Sequence, residues 1–193
     1  MTNISIMDNK DYTNIILEIF QEICKIPHPS GQEEAIGDYL MAFAKAHGLK
    51  AKKDNVGNIL ICKAAAKGCE KSPTVILQAH QDMVCEKDAA LIHDFMKQPI
   101  QTYIEDGWLK AKGTTLGADD GIGMAMMLAV LADSTLKHGP IEALFTVSEE
   151  TGLTGASNLG DDMINGKMLI NLDSEDEGEI FIGCAGGIKS EIE

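Results

Sequence analysis

The run IGMAMMLAVLAD, residues 122–133, is apolar almost all round. A helix with no polar face has to be covered on every side, so it belongs inside a layered domain and not on the surface of one. At about a dozen residues it is also too short to cross a bilayer. Around it, strand-like and helix-like segments alternate. Ile15, Ile19 and Ile23 fall four apart beside Ile16 and Phe20, which predicts a helix over 11–25 that Pro27 and Pro29 end. Ser30, with Glu33 three residues later, reads as a capping box opening a second helix that Gly48 stops near His47.

Strand-like runs occur at NILICK, TVILQA (74–79), IEALFTVS (141–148), KMLINLD (167–173) and GEIFIG (178–183), and Asp106-Gly107 between QTYIE and WLKAK predicts a hairpin. LTGAS reads as a loop entering a helix, and residues 84–100 as loop-rich. The alternation predicts an α/β fold, a mostly parallel central sheet flanked by helices with an antiparallel edge.

Composition limits what such a domain can meet. Lys and Arg total 16 against 30 Asp and Glu, a net charge of −14. That disfavours nucleic acid and anionic membrane as partners. The first residues lack the basic start and apolar run of a signal peptide. Five cysteines (Cys24, Cys62, Cys69, Cys85, Cys184), odd in number and without zinc-knuckle spacing, predict free thiols in a reducing compartment, the cytoplasm.

The apolar runs share one property: they end in ionisable groups. TVILQA runs into His80-Gln81-Asp82, LFTVS into Glu149-Glu150 and MLINL into Asp173, while Asp119-Asp120 precede the buried helix. In open α/β sheets ligands gather outside the carboxyl ends of the strands. Imidazole with carboxylates suits zinc, manganese or cobalt, and two ions about 3.5–4 Å apart can share a water and polarise a carbonyl. Asp82, two residues from His80 on a strand-like side, can accept the second ring proton of that histidine. Each element alone has an ordinary reading: solvated glutamates, or a helix cap at Asp119-Asp120. Their succession at element ends is what points to a metal centre. His28 is compatible with surface or supporting placement. GTTLGADDG lacks the phosphate-loop lysine, and no G-x-S-x-G is present.

The stretches IPHPSGQEEAIGDYL, DNVGNI, VILQAHQDMV, KGTTLGADDGIGMA, ALFTVSEETGLTGA and LINLDSEDEGEIFIGCAGG resemble, in order, the N-terminal part of the aminoacyl-histidine (Xaa-His, cytosolic non-specific) dipeptidases, a branch of the dinuclear zinc exopeptidases. The resemblance implies two divalent ions, zinc first, with manganese or cobalt as alternatives. His80 and Asp173 would bind one ion, Asp119 both, and Glu150 the other. Glu149 would be the general base and Asp82 would orient His80. The implied reaction is hydrolysis of dipeptides, including Xaa-His, with related amidohydrolysis of N-acylated amino acids or an inactive metal-binding remnant as alternatives.

Family members are longer. They carry a smaller inserted domain, then a returning segment that supplies one more histidine to the second ion. Residues 1–185 would therefore be the first part of the catalytic domain, truncated before completion, and 186–193 the start of the insert. The chain alone is expected to be inactive, and a homodimeric full-length form stays open.

Overall fold

The computed structural model describes residues 11–174 and 178–183. The expected start of an inserted domain at 186–193, and Cys184, lie outside these. Helix α1 spans Tyr12–Ile23, capped by Asp11, whose carboxylate accepts from the Asn14 amide at 3.2 Å. Helix α2 spans Glu34–Ala46, and α3 spans Ala118–Ala132. A single turn, α4, follows at Thr154–Ser157.

The main sheet contains β1 (Lys50–Lys53), β2 (Ile59–Lys63), β3 (Val75–His80), β6 (Ile141–Thr146) and β7 (Met168–Asn171), in the order β1-β2-β6-β3-β7. The pairs β6–β3 and β3–β7 are parallel, whereas β1–β2 and β2–β6 are antiparallel. The sheet is thus mixed, and its antiparallel part takes in two strands instead of one edge. The separate hairpin of β4 (Thr102–Glu105) and β5 (Trp108–Ala111) turns at Asp106-Gly107, both at positive φ, 52° and 81°. That is the backbone sign a tight hairpin turn requires.

Period-two alternation sorts the strands onto two faces. Ile59, Ile61, Ala79, Ala143 and Phe145 face a core closed by Phe20 and Ile23 of α1, Ile36 and Leu40 of α2, and Met124, Met127 and Leu128 of α3. Leu60, Ile76 and Leu144 face the other way, onto Met163, Leu159 and Ile164. Helix α3 is buried along most of its length, as its unbroken apolar run predicts, though Met126 is exposed. Helices α1 and α3 approach closely because Gly121 has no side chain: a Cβ there would lie 2.7 Å from Phe20 Cε2.

Two local expectations fail. Ser30 and Glu33 form no capping box. Ser30 Oγ donates to Asp82 Oδ2 at 2.7 Å, and Glu33 reaches Ser148, while α2 begins at Glu34 without a side-chain cap. Tertiary partners outcompete the local one. The strand expected at 178–183 is also not formed: Ile180, Phe181 and Ile182 are exposed and outside any ladder among the described residues. Alternation gives a segment strand character, but a strand needs a neighbour to satisfy its amides.

Candidate metal centre

The parallel register decides where the site lies. His80 pairs with Thr146, and Gln78 with Asn171, so β3, β6 and β7 end at one level. The residues that leave these ends are Gln81-Asp82, Val147 to Glu150, and Asp173. Asp119 and Asp120 reach the same place from the start of α3, where their backbone is non-helical; the peptide bond between them is cis. The segment opens at Gly117, and the regular helix runs on only after Asp119 and Asp120.

All six predicted site residues meet at this sheet end. His80 is fully buried. Its Nε2 lies 2.9 Å from Asp119 Oδ1 and 4.0 Å from Asp173 Oδ2. Its Nδ1 lies 2.9 Å from the Asp82 carbonyl oxygen and 3.4 Å from Asp82 Oδ1. Asp82 therefore holds the ring through its main chain first and its carboxylate second. Two sets of side chains could hold a metal ion: His80, Glu149 and Asp173, and His80, Asp119 and Glu150. Within each, the ligand atoms lie within 4.8 Å of one another. The donor set, one imidazole and otherwise carboxylate oxygens, is one that zinc, manganese and cobalt accept.

The Asp82 carboxylate is buried and fully engaged. Oδ1 accepts from the Glu149 amide at 2.9 Å, and Oδ2 from Ser30 Oγ and, at 3.2 Å, from the Glu150 amide. Burial alone would raise its pKa, but the His80 ring and these donors outweigh it and hold it down at about 2.

The neighbours behave differently. Burial, with the Asp173 and Asp119 charges, lifts Asp120 to about 7 even though His80 opposes the shift. Glu149 is raised by burial and by the carboxylates of Asp173, Asp82 and Asp119. Glu150 is raised by burial and by Asp119 and Glu149. Burial disfavours the His80 imidazolium, yet hydrogen bonds to Asp82 and Asp119 lift it to about 10. Six carboxylates around one imidazole form a site whose charge is relieved by taking up cations, protons or metal ions.

Sequence reasoning assigned three contributors no part in the metal site. Asp120 is buried and its Oδ2 accepts from the His80 amide at 3.3 Å. Ser30 holds Asp82. His28 is buried beside the site; its Nδ1 contacts the Ile26 carbonyl at 2.5 Å and its Nε2 has no hydrogen-bond partner among the described residues. Burial depresses its pKa, against the charges of Asp82 and Glu33. The quoted stretch IPHPSGQEE carried the only signal for Ser30 and His28, because nothing in its local pattern distinguishes a loop from a site wall.

Comparison with known proteins agrees with this geometry. Residues 76–186, more than half of the chain, match the model of peptidase family M20/M25/M40. The chain is 54% identical to the cytosol non-specific dipeptidase of Escherichia coli over 171 residues, 89% of this chain and 35% of that protein. Among solved structures, it superposes on an aminoacylhistidine dipeptidase from Vibrio alginolyticus with a TM-score of 0.85 and 50% identity. That match covers 88% of this chain and 34% of the other. A tripeptidase from Staphylococcus aureus matches with a TM-score of 0.71 and 26% identity, over 84% of this chain and 44% of the other. The chain thus spans about a third of the length of the two dipeptidases. With the family's model matching across β3, α3, β6 and β7, and with the acidic sheet end in place, the chain belongs to peptidase family M20/M25/M40.

Proposed function

We propose that this sheet end is a two-ion centre for hydrolysing the peptide bond of dipeptides, Xaa-His among them. The observation that carries the reading is the convergence on His80 Nε2 of Asp119 at 2.9 Å and Asp173 at 4.0 Å, with Glu149 and Glu150 in the same cluster of possible ligands. His80, Asp119, Glu150 and Asp173 would hold the ions, zinc first, with manganese or cobalt as alternatives, and Asp119 would face both. Bound there, divalent ions supply Lewis-acid polarisation of a carbonyl and acidify a water.

The chain's own residues supply the rest. Glu149 takes the proton from the attacking water and delivers it to the leaving amine. Its raised pKa, from burial first, suits a group that has to hold a proton between two steps. Asp82 acts from behind. It fixes the His80 ring so that Nε2 faces Asp119 and Asp173, and it accepts from the amides of Glu149 and Glu150. The substrate is a short peptide. The name of the Escherichia coli relative supports a cytoplasmic setting, and no helix among the described residues is long and apolar enough to cross a membrane. The full-length form as a homodimer belongs to the same proposal.

The test is a metal-reconstituted full-length protein assayed on a panel of dipeptides, tripeptides and N-acylated amino acids. Zinc-dependent cleavage with dipeptides preferred is expected. Absence of any metal-dependent hydrolysis would sink the reading, and a preference for N-acylated amino acids would move it to amidohydrolysis.

A further inference from the structure

Beyond the Glu149-Glu150 pair itself, the way its backbone is held stands out. Four consecutive amides leaving β6 each donate to a side-chain oxygen from elsewhere in the chain. The Val147 amide donates to Asn58 Oδ1 at 3.1 Å, and the Ser148 amide to Glu33 Oε1 at 2.9 Å. The Glu149 and Glu150 amides donate to the two oxygens of Asp82. Sheet pairing has ended here, and no helix has begun. Without these acceptors the four donors would be left to water or unsatisfied.

The acceptors are themselves fixed. Asn58 is completely buried, and its Nδ2 donates to Asp54 Oδ2 at 2.8 Å and to the Gly155 carbonyl at 2.9 Å. Asp54 Oδ1 in turn accepts from the amides of Val56, Gly57 and Asn58. Gly155 donates back to the Val147 carbonyl at 2.9 Å, closing the loop, and a Cβ at Gly155 would lie 2.4 Å from Asn58 Oδ1. Glu33 Oε1 also accepts from Ser148 Oγ at 2.8 Å and from the Gly31 amide at 2.9 Å. Ser148 has a φ of 49°, a left-handed conformation that costs a non-glycine residue and persists only where surroundings enforce it. Glu33 grips both its amide and its hydroxyl.

We propose that Asn58 and Glu33 complete, with Asp82, an acceptor ladder that aims Glu149 and Glu150 at the metal centre, so that Asn58 and Glu33 are positioning residues for the reaction. The ladder gives a role to two stretches, DNVGN and PSGQE, that the chemistry alone leaves idle. Glu33 and Asn58 touch none of the proposed ligand atoms of the centre. They act through the backbone that carries Glu149 and Glu150. This inference rests on the two-ion reading for its catalytic consequence, but not for the bonds themselves.

The test uses full-length protein carrying Glu33→Ala, Glu33→Gln and Asn58→Ala. Removing supporting residues behind metal ligands characteristically costs about 10–100-fold in metal affinity or activity. Glu33→Ala is expected to lower kcat by about that factor while KM moves less than about 3-fold, because binding groups are untouched. Zinc affinity by chelator competition should fall in parallel. Glu33→Gln, which keeps an acceptor oxygen, should recover most of both losses. If buried Asn58→Ala does not fold, the half-buried Glu33 pair still decides.

Amide hydrogen exchange on the metal-free protein gives a readout separate from catalysis. In Glu33→Ala, exchange should accelerate at 147–150 and stay unchanged along β3. A Glu33→Ala protein with reduced melting temperature but unchanged kcat, zinc affinity and exchange at 147–150 would overturn the proposal. So would Glu33→Gln as impaired as Glu33→Ala. If the unaltered protein hydrolyses no dipeptide, the functional reading fails while the exchange result still judges the ladder.

Discussion

The loop after β6 and the end of β7 flank the same strand end of β3, and both deliver carboxylates to His80. They are built very differently. β6 is buried at all six positions, and the loop that leaves it hangs from side-chain acceptors on three separate elements. Among the described residues β7 pairs with β3 alone, and its Met168, Leu169 and Ile170 are each about half exposed. Asp173 thus follows a strand paired on one side among the described residues, whereas Glu149 and Glu150 follow a strand buried at every position. The difference teaches that a candidate metal centre can have one wall held by internal hydrogen bonds before any ion arrives.

The comparison can be broken or sharpened by substitution in the full-length protein. The largest effect is expected at Glu149→Gln. Loss of a general base typically costs about 10²–10⁴-fold in rate. Here kcat should fall in that range while metal content, measured by elemental analysis, is retained, since Glu149 is not among the residues proposed to hold the ions.

Next comes Asp82 against Asp173. Asp82→Ala removes the acceptor of two amides and the support of His80. It should weaken zinc by about 10–100-fold and also destabilise the metal-free protein by about 1–3 kcal/mol, the usual result of orphaning a buried donor. Asp173→Asn should weaken zinc but cost less metal-free stability than Asp82→Ala, since its carboxylate is 31% exposed and lies 4.0 Å from His80. Chelator competition and urea unfolding on the same samples separate the two. Equal losses of stability would erase the proposed contrast.

The strands themselves offer a third comparison. Leu144 of β6 is 2% exposed and Ile170 of β7 is 51% exposed. Leu144→Ala should cost about 2–5 kcal/mol, the range for a buried aliphatic truncation. Ile170→Ala should cost less than about 1 kcal/mol by the same measurement on residues 1–193 alone, where its side chain is half exposed.

The smallest effect is the pH dependence of the braced wall. The Asp82 pKa drops from 3.8 to about 2 on folding, its donors outweighing burial. A depressed acid contributes stability that is present above pH 3.8 and is lost as pH falls through about 2. Metal-free unfolding profiles should show that loss, and Asp82→Asn should flatten it in the same window.

Much of this was written locally. Asp106-Gly107 is legible because two positive-φ residues in succession can be read without any partner. The α3 core helix is legible because its apolar run has no polar face to expose. His80, Asp82, Asp119, Glu149, Glu150 and Asp173 are legible as a set because each sits at an element end, where chemistry rather than packing selects residue type. The failures have a common cause. Ser30 and Glu33 fit a capping box by spacing, yet their partners lie 52 and 115 residues away. GEIFIG alternates like a strand, but no neighbour among the described residues pairs with it.

Sequence by itself therefore determined most element types, the α/β class and the residues that converge on the candidate metal centre, because periodicity and residue chemistry are properties of short segments. The tertiary structure decided the antiparallel half of the sheet, the burial of Asn58, Asp120 and His28, and the four-amide ladder behind Glu149 and Glu150. Those depend on which distant oxygen meets which amide, and register across non-adjacent strands fixes that only once the chain has closed on itself.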